Sequence, residues 1–412
     1  MVLSRAFYFF LLSFLAGIFI SSFFNLPLLL IDELFALAIF YGVIFFREKT
    51  ILVFSGCLFF LALGLIRMDL VKPLGPLPTA INSFRETRQG EINLKIEEKI
   101  EERLLPFKER TKKIIESVFS PPHSSLLEAL LLGETTSLSA EWKDKLNRAG
   151  LRHTVVVSGM HIVLVSTIFL WLGLFFGLNR AAAIYFALLF LWLFVAFTGF
   201  QPSAIRAGIM GSLLLFCQKL GRQNAAGRSL ILSAVLMLAF QPALLRQNVG
   251  FQLSFLATAG LIYFYPIFQN LFSRLGLRKE AVKSLTDLLA MTLAAQIFTL
   301  PILIYNFGYF SLVSPLSNIL AVPLLPEIMM LGFFFVFLTF LWGALGWLVY
   351  PFLWLLLDCF ILVIDFSCRL PLARIIVKTG WVFLLLYYAV LFLFTFSYVK
   401  HLKQKRLVGG WV

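Results

Sequence analysis

The chain has 412 residues, of which 60% are hydrophobic and 14% charged, and it carries a formal net charge of +14. That balance excludes a water-soluble globular fold for most of its length, because too little polar surface exists to cover so much apolar material. Crossing a hydrocarbon core of about 30 Å takes roughly 20 apolar residues, and runs of that kind recur from residue 6 to residue 399. We place about twelve transmembrane helices, near 6–23, 27–46, 51–66, 154–178, 181–199, 203–220, 229–243, 249–268, 285–304, 317–341, 343–366 and 380–399. The expected fold class is an all-α polytopic membrane protein with broken or re-entrant segments and a small extracytoplasmic segment.

In chain order, residues 1–66 form a three-span membrane region. The first run is read as a retained anchor, since Ser21, Ser22, Phe23 and Phe24 give no small-x-small cleavage pattern. Residues 67–123 form an extracytoplasmic segment, opening on a Pro/Gly linker from Pro73 to Pro78 and reading from Glu91 to Ile115 as a charged helix or a few short strands. A helix start at Ser124 with a stop at Gly133, and a second amphipathic helix from Ser139 to Arg148 ending at Gly150, are too polar to span and are expected on the membrane face. The spans over 124–400 follow, and 401–412 is a basic tail.

Between Asp69 and Gly150 there are 13 acidic and 13 basic residues, so the whole positive excess belongs to the membrane part. Clusters at Arg47 and Lys49, at Arg180, at Lys219, Arg222 and Arg228, at Arg274, Arg278, Lys279 and Lys283, and at Lys400 to Arg406 alternate consistently with both termini in the cytoplasm. Arg246 and the group Arg369, Arg374, Lys378 are discordant. Cys57, Cys217, Cys359 and Cys368 lie in or beside apolar runs without paired spacing and read as buried small hydrophobes, so no metal site and no cofactor is expected.

Polar residues inside spans are costly, roughly 2.5–3.5 kcal/mol for a charge at the centre, and each asks for a partner or a pathway. Four blocks concentrate them. In GLRHTVVVSGMHI, His153, Ser158, Gly159 and His161 enter the fourth span, either as a gate element or as an interfacial histidine and a serine bonded one turn back. In TGFQPSAIRAG the chain breaks at Gly199 and Pro202, then carries Ser203 and Arg206; the arginine is an interfacial anchor or a cation facing the bundle interior. In NVGFQLSF, Gln252 and Ser254 serve helix-to-helix bonding or a substrate. In SPLSNILAVPLLPE the prolines at 315, 323 and 326 preclude one regular helix, and a break capped by Asn318 with Glu327 nearby is expected.

Taken in order, the four blocks resemble the ComEC family of competence proteins: GLRHTVVVSGMHI is similar to GLxHxxxxSGxHI, TGFQPSAIRA to TGFxxSxxRA, QPALLRQNVGFQLSF to NPxxxxxxxGFQLSF, and SPLSNILAVP to SxxSNxxxxP. Gln241 stands where the family usually has Asn. The resemblance covers roughly Ser124 to Tyr398 and implies a competence-type channel over 124–400. Such a channel passes single-stranded DNA inward across the bacterial cytoplasmic membrane during natural transformation. It implies as partners the lipid bilayer, an outer DNA receptor, a cytoplasmic motor ATPase and a separate nuclease. The matching positions are His153, Ser158, Gly159, His161; Gly199, Ser203, Arg206; Gly250, Phe251, Gln252, Ser254; and Ser317, Asn318, Pro323. The family's OB-type domain is reduced or absent here, 67–123 being short for a five-stranded barrel. Its metallo-β-lactamase-like domain is expected to be absent, since His123, His153, His161 and His401 are scattered and form no HxHxDH cluster. A small-solute or lipid transporter is the competing reading. A hydrolase using Ser158 with His153 or His161 lacks a G-x-S-x-G elbow and an acidic orienter, so no enzyme is expected.

Overall fold

The computed structural model describes residues 2–24, 26–45, 48–70, 99, 102–221, 225–275, 282–371, 373–377 and 379–408. The Pro73–Pro78 linker, Glu91–Lys95 and the charges Arg47, Arg222, Arg278, Lys279 and Lys378 lie outside them. The helices are α1 (Val2–Phe23), α2 (Leu28–Ile44), α3 (Lys49–Asp69), α4 (residues 102–118), α5 (His123–Leu132), α6 (Ala140–Ala149), α7 (Arg152–Val155), α8 (Gly159–Phe175), α9 (Arg180–Phe197) and α10 (Pro202–Lys219). They continue as α11 (Ala226–Phe240), α12 (Leu244–Gln247), α13 (Val249–Tyr263), α14 (Tyr265–Arg274), α15 (Lys283–Phe307), α16 (Ser314–Ala321), α17 (Leu324–Leu341), α18 (Tyr350–Arg369) and α19 (Trp381–Val408). Two short strands, β1 (Tyr309–Phe310) and β2 (Ile375–Ile376), pair antiparallel.

The chain is an all-α multi-pass membrane protein. Each apolar run carries helix, and among the described residues 8 helical stretches are by themselves long and apolar enough to cross a bilayer. The other runs give α2, α10, α11 and the apolar part of α19. The run expected over 317–341 is two helices, α16 and α17, and the run expected from 343 opens as a 3₁₀ turn over Gly343–Leu348 before α18. All three prolines of the fourth block sit in the opening turns of helices or at the residue that starts one, where a missing N–H costs nothing. From residue 102 the charged segment is helix.

Two compact units divide the chain. The first comprises Met1–Val118, Leu132–Glu134 and Val157–Gln252. In it α1 and α3 cross backbone to backbone: a Cβ on Gly17 would collide with the Leu61 carbonyl, and one on Gly64 with that of Phe14. Close approach through small residues is how helices gain contact where lipid competes equally for apolar surface. The last carbonyls of helices need donors, and two arginines supply them. Arg67 donates from Nε to Ala239 O at 2.7 Å and from a terminal nitrogen to Phe240 O at 2.8 Å, closing α11. Arg246 reaches Ser22 O at 3.5 Å, at the end of α1, which accounts for its discordance with the topological pattern.

The second unit comprises Phe119–Leu131, Thr135–Val156 and Leu253–Val412. Its core holds α5, contrary to the expectation that this helix lies on the membrane face. Leu126, Leu127, Ala129, Leu130 and Leu131 are all buried, Leu127 and Leu131 packing over Gly332 of α17. The segment SSLLEALLL is apolar nearly all round, and such a helix belongs inside. The second short helix, α6, is amphipathic as expected, with Ser139 Oγ accepting from Trp142 N–H at 3.3 Å and Gly150 closing it at φ 69°. It is fastened to α18 by Lys145 Nζ on Asp365 Oδ1 at 3.1 Å, which holds the Lys145 ammonium above its ordinary pKa chiefly through that hydrogen bond. Arg374, another discordant charge, pairs with Asp144 at 3.3 Å and lies 4.6 Å from the Tyr309 ring centre.

Pro301 interrupts α15 and cannot donate to the carbonyl four residues back, Ile297. The Tyr387 hydroxyl donates to Ile297 O at 3.1 Å, restoring that acceptor from α19, and the Tyr388 hydroxyl donates to the neighbouring Phe298 O at 2.7 Å. Tyr387→Phe should therefore cost about 1 kcal/mol of stability in the natural background. It should cost distinctly less beside Pro301→Ala, where the backbone N–H returns; thermal unfolding of the four proteins in detergent measures the difference.

Candidate functional site

The first block breaks where it was expected to. α7 ends at Val155, Val156 is extended, and Ser158 (φ −118°, ψ 173°) starts α8. The cap is reciprocal, as in a capping box, with histidine in the usual place of Glu or Gln: Ser158 N–H donates to His161 Nδ1 at 3.3 Å, and Ser158 Oγ lies 2.9 Å from the same nitrogen. His161 is fully buried. His153, on α7, is exposed and belongs to the second unit.

The second block turns through Gly199 (φ 74°) and Phe200 (φ 48°), the one non-glycine with positive φ among the described residues. A bulky side chain in that region costs on the order of 1–2 kcal/mol, and the turn is held from outside it. Ser203 Oγ, in the first turn of α10, donates to Val157 O at 2.8 Å. Gln201 Nε2 donates to Gly133 O at 3.2 Å. Gly133 itself has φ 74°, and a Cβ there would stand 2.7 Å from Val157 Cγ2 and 3.4 Å from Thr198 Cβ. Three interruptions of helix, at Gly133, Val157–Ser158 and Gly199–Gln201, thus lock together inside the first unit.

Arg206 follows one turn into α10. Its side chain is buried, 8% exposed, so it does not act as a snorkelling anchor in this structure. One guanidinium nitrogen lies 3.4 Å from the place a Cβ of Gly159 would occupy, which puts the cation over the first turn of α8.

The third block is held by ordinary helix-end chemistry. Asn248 Oδ1 accepts from Phe251 N–H at 2.8 Å, starting α13, and Phe251 is buried. Gln252 Nε2 donates to Leu245 O at 2.8 Å and to Arg246 O at 3.4 Å, so its amide hydrogens serve the carbonyls of α12. Gly250 sits beside Asn248 Oδ1, and Ser254 lies one turn on.

The fourth block lies in the second unit. Ser317 Oγ donates to Val313 O at 3.1 Å and lies 2.9 Å from Ser367 Oγ of α18, both serines fully buried. Ser314 Oγ reaches Gly150 O at 3.4 Å. Asn318 does not cap the break, as was expected of it; it sits inside α16, 4% exposed. The break falls at Val322–Pro323, because Pro323 starts α17. Asn318 Nδ2 makes a long contact of 3.5 Å with Ser314 Oγ, and Oδ1 has no hydrogen-bond partner among the described residues. Glu327 is exposed in the first turn of α17.

The Ser158–His161 distance is that of a nucleophile and its base, but Nδ1 also receives the Ser158 amide. Nε2 meets no acidic side chain among the described residues, so the pair is built as a cap rather than a catalytic dyad. No group of three His, Cys, Asp or Glu among the described residues is placed to hold a metal. Sequence reading missed Gly133 as part of the site, having taken it only as a helix stop, and missed Ser314 and Ser367, which carry no local signal.

Comparison with known proteins covers most of these elements. The family described as Competence protein matches residues 130–402, and so takes in all four blocks. ComE operon protein 3 of Bacillus subtilis (strain 168) is 31% identical over 207 residues, 50% of this chain and 25% of that protein. Competence protein ComA of Neisseria gonorrhoeae is 29% identical over 215 residues, 48% of this chain and 28% of that protein, and the Escherichia coli (strain K12) protein YcaI, of uncharacterised role, is 26% identical over 221 residues, 49% and 27%. The matched stretch thus spans about a quarter of each of these relatives. No solved structure matches. With its four motifs in order and the family matched over most of the membrane part, the chain belongs to the ComEC-type competence protein family.

Proposed function

We propose that the chain is a channel for inward passage of single-stranded DNA across the bacterial cytoplasmic membrane during natural transformation, with residues 124–400 as the channel domain, 1–66 as an accessory membrane region, 67–123 extracytoplasmic and 401–412 cytoplasmic. The observation that carries this reading is the joining of two helix breaks around Val157 in the first unit, with a buried cation, Arg206, over the helix that starts there. Broken helices persist at membrane depth where they line something, and a buried cation there is a functional group by default.

A strand carries one charge per nucleotide, so its channel must offer repeated weak contacts that replace hydration without retaining the polymer. His161, Ser158 and Arg206 in the first unit, and Ser317 and Asn318 in the second, supply such groups on this reading, while exposed aromatic rings offer sequence-tolerant stacking. Gln252, committed to carbonyls of α12, contributes by holding α13 in place. Work to move the strand comes from a cytoplasmic motor ATPase; an outer receptor delivers the DNA and a separate nuclease removes the complementary strand. Both termini face the cytoplasm.

Deleting the gene tests the reading. Transformation frequency and cytoplasmic arrival of labelled DNA should both fall to background and return with the cloned gene. Unchanged uptake would overturn it in favour of small-solute or lipid transport.

A further inference from the structure

The middle of α18 carries a charge that neither the topology nor the four blocks account for. α18 is one of the stretches long and apolar enough to cross a bilayer, and Asp358 falls near the centre of its 20 residues. A carboxylate at that depth asks for a partner. Within the second unit it has one: His123, the first residue of α5, brings Nε2 to 3.7 Å from Asp358 Oδ1. Trp354 lies one turn before Asp358, on the same face of α18, and its ring stacks on the imidazole at 5.7 Å between centres and 13° between planes. The imidazole thus meets both a carboxylate and an indole face.

Both neighbours favour a protonated ring, the carboxylate by its charge and the indole by its negative face. Burial and the positive end of α5 oppose it. The other charged or titratable groups on the packed elements are Glu128 on α5, Glu327 on α17, and Tyr350, Cys359, Asp365, Cys368 and Arg369 on α18. Asp358 is the group whose charge acts on the imidazole. Asp365, seven residues further on, is already paired with Lys145, an ammonium that keeps its proton near neutral pH, whereas an imidazole can give its proton up. At 3.7 Å the buried Nε2 stands beyond hydrogen-bond reach of Asp358, and it has no hydrogen-bond partner among the described residues. The Asp358 side chain is 35% exposed against 14% for His123, so the carboxylate is the open side of the pair. One added proton makes both ring nitrogens donors, whichever tautomer was present, and sets a charge-assisted hydrogen bond across the gap. Filled, the pair is neutral overall; empty, it leaves a single negative charge at mid-span.

We propose that His123 and Asp358 form a proton-binding site in the interior of the membrane, loaded through the open side of the carboxylate, with Trp354 as its third wall. The proton comes from water and returns to it, and no other bond is made or broken. The pair gives the second unit a charge that follows aqueous pH, which is what a transport step linked to a proton gradient draws on. Proton binding here is independent of what the channel passes.

Trp354 reports on the site, because a protonated imidazole stacked on indole quenches its emission. Emission is titrated against pH in the full chain in detergent, with and without Trp354→Phe, and the difference isolates this one indole. That difference should fall through a single transition as pH is lowered. Asp358→Asn should move the midpoint down by about one pH unit or more, since the imidazolium loses its counter-charge. Asp358→Glu, which keeps the charge, should hold the midpoint closer to that of the natural protein, and His123→Gln should abolish the transition. A pair with only a structural role would change thermal unfolding in the variants without giving a pH-dependent difference signal. A flat difference curve in the natural protein, a transition that survives His123→Gln, or a midpoint unmoved by Asp358→Asn would overturn the site. Each of these results would leave the channel reading standing, because no DNA enters the measurement.

Discussion

Gly133→Ala is expected to remove about 2–4 kcal/mol of stability and to lower DNA uptake at least tenfold. Two independent costs add at this residue. Its φ of 74° is unfavourable for any side chain, and the new methyl would stand 2.7 Å from Val157 Cγ2. Val157 cannot retreat freely, because its carbonyl holds Ser203 and the chain on either side of it is already committed, at Val156 in extended backbone and at Ser158 in the α8 cap. Gly177 separates the two costs: its φ is 80° and nothing lies within 4 Å of its Cβ position, so Gly177→Ala meets the backbone term alone. Thermal unfolding of both variants in detergent, with uptake of labelled DNA alongside, measures the difference. Val157→Ala should recover part of the loss in Gly133→Ala and none in Gly177→Ala. Equal losses at the two glycines would show that the packing around Val157 is not what the turn requires.

What could be read from residues alone was what residues dictate locally. Glycine, proline and serine marked the breaks at Ser158, at Gly199–Pro202 and before α17, and Ser139 with Gly150 bounded α6, since capping and positive φ are properties of a few adjacent positions. Apolar run length placed the spans. What could not be read depends on distant partners. Charge counting treated Arg246 and Arg374 as exceptions to topology, whereas their partners lie 224 and 230 positions away in sequence, at Ser22 and Asp144. Run length misplaced α5: ten residues are too few to cross a membrane, and nothing in that number tells a surface helix from one enclosed by its neighbours. The Arg206 side chain could be assigned to the interface or the interior with equal justice until its burial and its distance from Gly159 were in hand. Gly133 read as a stop signal, and only the fold shows which backbone it lets pass.

Asn318→Leu should leave the protein as abundant and at least as heat-stable as before, and should lower DNA uptake at least tenfold. An amide kept for helix-to-helix bonding would have both of its ends engaged, as Ser317 and Ser367 are by each other and by carbonyls one turn back. Asn318 is 4% exposed, its nitrogen makes only a 3.5 Å contact, and its oxygen has no partner among the described residues. Burying such an acceptor costs about 1–3 kcal/mol, and leucine, which has the same branched skeleton of heavy atoms, removes that cost without opening a cavity. On the proposed channel reading, an amide that costs α16 stability is kept for the passing strand rather than for the bundle, and this variant separates the two roles. Uptake unaltered in Asn318→Leu, or a protein that no longer accumulates in the membrane, would return Asn318 to the packing of α16.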